Sequence, residues 1–395
     1  MSVGLASVVL ADEGEKGKEQ VKNVAFHGKF ETKLSEKKLP KPVPRFTYDS
    51  GLKFEYPDAV RGIYLTGHSA GNFRFKNLIK HVNQTELNAM VIDIKEDNGY
   101  ITYKLPKDSP YYDASQNYIS DPKAMLKRLE KEQIYPIARV VVFKDTHLAE
   151  KKPEWSFKEN GKVWKNGKGD AFVNPFIKDV WKYNVEIAKE AAKLGFQEIQ
   201  FDYVRFPEGF EKRDVELKYS RGDYDEAGLD NVQERVKAVT EFVAYAKKEL
   251  EPFGVDVSVD IFGYSATIKE APGIGQNFSK ISSNVDVISS MIYPSHWGPG
   301  YFDIPFPDKK PYKLVNEYAK EEKKVLSKLD KAPISRPWIQ DFTASWLYAG
   351  GSTFTYGPKQ VQDQIDALYD NGIYEFLLWD AGNTYTEGVD YDPRN

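Results

Sequence analysis

Cysteine is absent from the 395 residues, which excludes disulfides, thiolate nucleophiles and cysteine-ligated zinc or iron–sulfur centres together. Histidine is scarce as well. Five residues, His27, His68, His81, His147 and His296, leave little from which to build a zinc site of several imidazoles, so neither a metal nor a cofactor is expected. No run approaches the ~18 consecutive apolar residues of a transmembrane helix, and no membrane span is expected. Positive charge is not in excess either: 55 Lys+Arg stand against 59 Asp+Glu, a formal net charge of −4. Nucleic acid, whose phosphates are held by clustered cations, is therefore not an expected partner.

What remains is a globular composition, 41% hydrophobic and 29% charged, with 25 Tyr and 7 Trp. Flat amphipathic rings suit stacking on sugar faces and serve a core equally well. The N-terminus divides from the rest. Met1 to Ala11 (MSVGLASVVLA) is apolar, and Val9-Leu10-Ala11 has the small-residue pattern of a signal-peptidase site, but a basic n-region is missing. This segment reads as a signal-peptide remnant, with an unstructured terminus as the alternative. Residues 12–56, where Lys and Glu alternate before the proline-rich Leu39-Pro40-Lys41-Pro42-Val43-Pro44, read as a flexible linker. An extracellular or cell-envelope location, with cell-wall association, follows as an expectation.

From residue 57 onward, short apolar runs alternate with helical periodicity. Strands are expected at Arg61–Thr66, Ala89–Lys95, Tyr135–Phe143, Glu198–Asp202, Val255–Phe262, Val285–Tyr293, Pro337–Phe342 and Glu375–Asp380. Helices are expected at Asn72–Val82, Asp121–Glu132, Ile177–Leu194, Asn231–Leu250, Asn277–Ser283, Tyr312–Leu329 and Pro358–Asn371. Eight strand-then-helix units without a phosphate-binding glycine fingerprint predict an α/β protein. Its expected form is a (β/α)8 TIM barrel over residues 57–395 behind an N-terminal disordered tether.

Barrel chemistry sits where the strands finish. Polar residues at those finishes include Asp93 and Glu96 after the second strand and His147 after the third. The fourth supplies Asp202, Tyr203 and Arg205 from FDYVRFP, and the fifth supplies Asp260. Tyr293, His296 and Trp297 follow the sixth, Gln340 the seventh, and Trp379, Asp380 and Asn383 the eighth. Carboxylates recurring at one end suit hydrolysis of an acetal, which needs a proton donor and a second carboxylate as nucleophile or base. Asp202 and Asp260, on neighbouring strands, are the expected catalytic pair. Arg205 is close enough to hold a carboxylate ionised or to bind substrate, and the others are expected to shape sugar subsites.

Long blocks carry a family resemblance: RGIYLTGHSAG, MVIDIKEDNG, FKDTHLAEKKPEW, AKEAAKLGFQEIQFDYVRFP, VDIFGYS, MIYPSHW and FLLWDAGNTY, between Arg61 and Tyr385. The chain resembles the bacterial putative glycosyl hydrolase domain family, a (β/α)8-barrel group distantly related to α-amylase-type enzymes. The resemblance implies a fourth-strand nucleophile, matching Asp202, and a fifth-strand acid, matching Asp260. It also implies a polysaccharide or oligosaccharide substrate. Two departures stand out: amylase-type enzymes usually carry Glu as the acid, and their arginine precedes the nucleophile by two residues, whereas Arg205 follows it.

Other motifs point elsewhere. Gly67-His68-Ser69-Ala70-Gly71 matches the G-x-S-x-G elbow of α/β-hydrolases, with Ser69 as the nucleophile of an esterase. Against it, the preceding strand is the first of the sheet, no HGGG-type segment occurs, and His296 leaves 99 residues to accommodate. Asp93–Gly99 is faintly like a calcium loop, but Lys95 stands where an oxygen ligand belongs. A non-catalytic carbohydrate-binding barrel stays open, since a binding cleft uses the same residues.

Overall fold

The segment RGIYL, residues Arg61–Leu65, is buried along its whole length, as a parallel strand covered on both faces must be. It is β1 of eight. The others are β2 (Ala89–Lys95), β3 (Tyr135–Val141), β4 (Glu198–Asp202), β5 (Asp256–Phe262), β6 (Val287–Met291), β7 (Trp338–Gln340) and β8 (Phe376–Trp379). Each pairs in parallel with the next, and β8 returns to β1 through Leu377↔Gly62 and Leu378↔Ile63, which closes the barrel. The closure needs Gly62: a Cβ there would lie 2.7 Å from Leu377 Cδ2 and 3.2 Å from Ala89 Cβ. This computed structural model describes residues 47–225, 228–348 and 354–392, together with three short strands at Ser7–Val8, Val21–Phe26 and Phe30–Ser35.

Residues 1–46 and 47–395 are separate units. In the first, the three short strands pair with one another. Apart from these strands, the expected signal remnant and the expected linker up to residue 46 lie outside the described residues. In the second, the strands alternate with α1 (Arg74–Asn83), α2 (Pro122–Glu132), α3 (Lys178–Leu194), α4 (Asn231–Leu250), α5 (Phe278–Ser282), α6 (Pro311–Leu326) and α7 (Pro358–Asp370). Asp121 caps α2, its carboxylate accepting from the Ala124 amide, with Pro122 in the first turn. None of the described helices is long and apolar enough to cross a membrane.

Side-chain alternation divides the barrel into two layers. Outward residues such as Ile63, Leu65, Ile92, Val140, Ile199, Phe201, Val257 and Val259 join the large core shared with the helices. A smaller cluster of Tyr64, Val91, Ile137, Trp338 and Leu377 lines the lumen. On β4 and β5 the lumen positions are polar: Glu198, Gln200 and Asp202 alternate with Ile199 and Phe201, and Ser258 and Asp260 with Val257 and Val259. The register runs Glu198↔Asp256 to Phe201↔Val259, so the next residues, Asp202 and Asp260, stand side by side at the top.

Candidate active site

β3 is apolar except for one charge, Arg139, which is 2% exposed. A guanidinium in that position must find acceptors in the lumen, and it finds three carboxylates. Nε and Nη2 donate to Asp202 Oδ2 at 2.9 and 2.6 Å, Nη1 donates to Asp93 Oδ1 at 2.7 Å, and Nη2 also donates to Asp97 Oδ1 at 2.9 Å. Lys144 donates to the other oxygen of Asp97 at 3.1 Å. Burial works against ionisation of Asp97, but Arg139 and Lys144 outweigh it and hold its carboxyl at about 2. For Asp93 burial wins: its carboxyl is pushed up to about 6 despite Arg139 and the 2.6 Å bond from the Tyr64 hydroxyl.

Asp260 has no cation of its own. Its Oδ1 accepts from the Trp338 indole at 2.7 Å. Burial, followed by the neighbouring Asp202 charge, pushes its carboxyl well above the carboxylate range. Two adjacent carboxyl groups thus sit in opposite surroundings, one bound by a guanidinium and one desolvated, which is how environments separate an acid from its partner. Just past Asp202 the backbone turns sharply. Tyr203 adopts φ 52°, which costs a non-glycine residue ~1–3 kcal/mol, and its amide donates to Asp202 Oδ1 at 2.5 Å.

Above these groups opens a cavity of about 770 Å³, within the range of ligand sites. Arg139, Asp202, Asp260 and Trp338 contribute to its lining, as do Tyr203, Arg205, Tyr264, Tyr293, His296, Trp297 and Trp379. A second cavity of about 330 Å³, reaching Trp164 and Lys144, shares Lys168, Tyr203, Arg205 and Glu208 with the first. Among the described residues, no group of three or more His, Asp or Glu side chains is arranged to hold a metal ion.

Residues 62–385 match the family model described as a putative glycosyl hydrolase domain. The chain belongs to that family. A hypothetical protein from Ruminiclostridium thermocellum is 35% identical over 50% of this chain and 96% of its own, with a TM-score of 0.43. The PgaB (BpsB) glycoside hydrolase domain from Bordetella bronchiseptica is 12% identical over 82% of this chain and 94% of its own, TM-score 0.56, a likeness of fold alone. The glycoside hydrolase domain of PelA from Pseudomonas aeruginosa is 11% identical over 83% and 97%, TM-score 0.44. No curated protein matches.

In this member of the glycosyl hydrolase domain family, the cavity brings together Asp202, Asp260, Tyr203, Arg205, Tyr293, His296, Trp297 and Trp379. Asp93 lies beneath, on Arg139. Five other expected site residues fall outside the lining and fix loops instead. Glu96 accepts from the Asn98 and Tyr100 amides. His147 packs its ring 4.9 Å from that of Tyr100. Gln340, fully buried, bonds Ser295, Asp308 and Phe342, Asp380 accepts from the Thr384 amide, and Asn383 ties to Thr66 and Tyr64.

Of the two expectations for Arg205, a place facing the cavity and a grip on Asp202, the structure shows the first and not the second. Arg205 donates to Glu208 at 3.1 Å and lies over the rings of Tyr203 and Phe262 at 4.7 Å, so the arginine on Asp202 is Arg139, supplied by the preceding strand. Arg139, Tyr64 and Trp338 were not expected. A lone charge inside YPIARVV is the signal that marks the first, because an unpaired arginine cannot stay buried. Ser69 is buried, and its amide donates to Thr66 Oγ1. Among the described residues no histidine hydrogen-bonds it, so the elbow motif here is a strand-to-helix turn.

Proposed function

We propose that the chain is a glycoside hydrolase cleaving glycosidic bonds of a polysaccharide, with Asp260 as general acid and Asp202 as nucleophile or base. The observation that carries this reading is the contrast between two adjacent carboxyls facing one cavity. Desolvation keeps Asp260 protonated into the pH range where an ordinary aspartate has lost its proton, so it has a proton for the leaving oxygen. Asp202, gripped by Arg139 and by the Tyr203 amide, is oriented as the second carboxylate that acetal hydrolysis requires. Membership of a glycosyl hydrolase domain family and the barrel shared with a glycoside hydrolase domain support the reaction class.

Tyr203, Arg205, Tyr293, His296, Trp297 and Trp379 surround the place a sugar would take, as aromatic and polar walls suit a ring with apolar and hydroxylated faces. A polymeric substrate and the apolar start of the chain favour an extracellular or envelope location with cell-wall contact. Fractionation of cells producing the full chain tests that part.

The decisive experiment incubates the parent, Asp202→Asn and Asp260→Asn with a panel of envelope and secreted polysaccharides and reads new reducing ends. Each variant is expected to lose ~10²–10⁴-fold in kcat, and the double variant little more than either alone, because residues acting as a unit are not additive. Full activity in either single variant would falsify the assignment.

A further inference from the structure

From the cavity floor a path of aromatic rings leads out to solvent. Trp379 stacks on Tyr64 at 4.2 Å and stands 6.4 Å from Tyr293. Tyr293 is 5.3 Å from His296 and 5.9 Å from Phe342. Phe342 stacks on Trp346 with centroids 5.9 Å apart and planes 22° from parallel, and Trp346 meets His296 edge-on at 6.1 Å. Tyr293, His296 and Trp379 belong to the cavity lining. Phe342 and Trp346 extend beyond it, and Trp346 is 62% exposed.

Packing does not account for a tryptophan so placed, and the turn that carries it is hydrogen-bonded. Trp346 occupies a tight turn, Ser345–Leu347, in which the Ser345 amide donates to Thr343 O and the Leu347 amide to Ala344 O. Ala344 is fully buried, and Thr343 Oγ1 accepts from the Tyr356 amide. The ring is thus held out over the mouth by an anchored segment. Half-way round the barrel, in the loop after β3, Trp164 stands in the smaller cavity that joins the main one. β3 and β7 are four strands apart in a ring of eight, so the two aromatic positions flank Asp202 and Asp260 from opposite sides.

The geometry points to an outer sugar-stacking subsite formed by Trp346 and Phe342, which makes the substrate a polysaccharide chain laid across the mouth and cut at internal bonds. This rests on the hydrolase reading for the cut but not for the binding. A pyranose presents an apolar C–H face that a flat ring covers with little loss of side-chain freedom. A cleft with such a ring at each side holds a chain in its middle, whereas an end-cutting site needs one side closed.

The test uses the full chain carrying Asp260→Asn, so that ligand survives, with and without Trp346→Ala. Calorimetric titration employs oligosaccharides from disaccharide to decasaccharide prepared from chitin, chitosan, xylan and mannan. Affinity is expected to rise with chain length in Asp260→Asn and to lose about tenfold for the longest ligand when Trp346 is also removed, the contribution of one stacked ring. Equal affinities in the two proteins, no dependence on length, or no binding of any of these oligosaccharides overturns the subsite. Products of the parent are sized in parallel: early release of mid-length oligosaccharides supports internal cutting, and monosaccharide alone from the outset overturns it. Length-dependent binding through Trp346 with no cleavage by the parent would remove the hydrolase and leave the subsite standing. Trp346 is on the surface, so an unchanged Tm and circular dichroism spectrum establish that the variant is folded.

Discussion

Two buried arginines stand at opposite ends of the same lumen, and their company differs. At the base Arg336, fully buried, donates from Nη1 to both oxygens of Glu198 at 2.7–2.8 Å and from Nε to Glu375 at 2.7 Å. The Tyr56 hydroxyl completes the set, accepting from Arg336 and donating to Glu375. At the mouth Arg139 serves Asp93, Asp97 and Asp202, while Asp260 beside them has no cation, and a large cavity opens above. Both sets carry more negative than positive charge. The basal set is closed by a tyrosine, and the upper set is left with an acid, Asp260, whose ionisation burial and then the Asp202 charge oppose. Conserving structure at one end of a barrel and performing chemistry at the other here takes the form of a satisfied and an unsatisfied charge cluster built from the same residue types.

The sharpest way to break this comparison is to remove each arginine. Arg139→Met is expected to lower kcat by ~10²–10³-fold, the loss typical of a preorganised charge contact at a reacting centre. Its stability loss should be the smaller of the two, because water from the cavity can reach the carboxylates it abandons. Arg336→Met should leave kcat of the folded enzyme near the parent's and cost about 3–5 kcal/mol, since Glu198 and Glu375 would stay buried without a partner. Adding Glu198→Leu and Glu375→Leu should recover most of that loss. Denaturant titration beside initial rates decides the matter, and a larger stability loss in Arg139→Met than in Arg336→Met would sink the distinction.

A second, milder test is pH. Asp93, moved from 3.8 to about 6 by burial, and Asp260, moved the same way, keep protons in the folded state that the unfolded chain has already released. Stability contributed by Asp93 is therefore greatest below about pH 4 and declines as pH rises through 6, and the share of Asp260 likewise falls as pH rises through its raised value. Asp97, held near 2, acts oppositely: its share is present above about pH 4 and disappears as pH falls toward 2. Asp93→Asn should flatten the decline between pH 4 and 6 in thermal melts. Activity should keep an alkaline limb above the ordinary carboxylate range, set by Asp260, whose carboxyl burial pushes up; a limb at pH 4 would contradict the acid role of Asp260.

The smallest expected change is at Glu96, whose carboxylate closes the turn to Tyr100. Glu96→Gln should alter kcat/KM by less than about twofold and cost ~0.5–1.5 kcal/mol, the scale of a turn hydrogen bond.

These contrasts also explain what was readable from the amino-acid order. The eight strands and their closure were legible because each is a short apolar run followed by a helical period. The adjacency of Asp202 and Asp260 followed from strand order alone. Boundaries moved by a few residues. The seventh strand shrinks from Pro337–Phe342 to Trp338–Gln340, although Pro337 O and the Asp341 amide still bond to Leu377 and Trp379 on the eighth strand. The strand Ser115–Ile119 was missed because SQNYI is too polar to read as one.

At the mouth, proximity in sequence misled. Arg205 is three residues from Asp202 but turns toward Glu208 beyond the Tyr203 bend, while Arg139, 63 residues away, reaches Asp202 through strand pairing. Strand-end polar residues divide between cavity and loop according to the local turn, which strand periodicity does not describe, and so Glu96, Asp380 and Asn383 went to the loops.

The turn at Tyr203 has one more consequence. A left-handed tyrosine is a place where a glycine would fit with less strain, so a search for stabilising substitutions in this barrel would be drawn to Tyr203→Gly. The same change removes a wall of the cavity and loosens the amide on Asp202. The position marks where robustness has been traded for a fixed working geometry, and it warns that the route to a hardier protein and the route to a faster one diverge at this single bond.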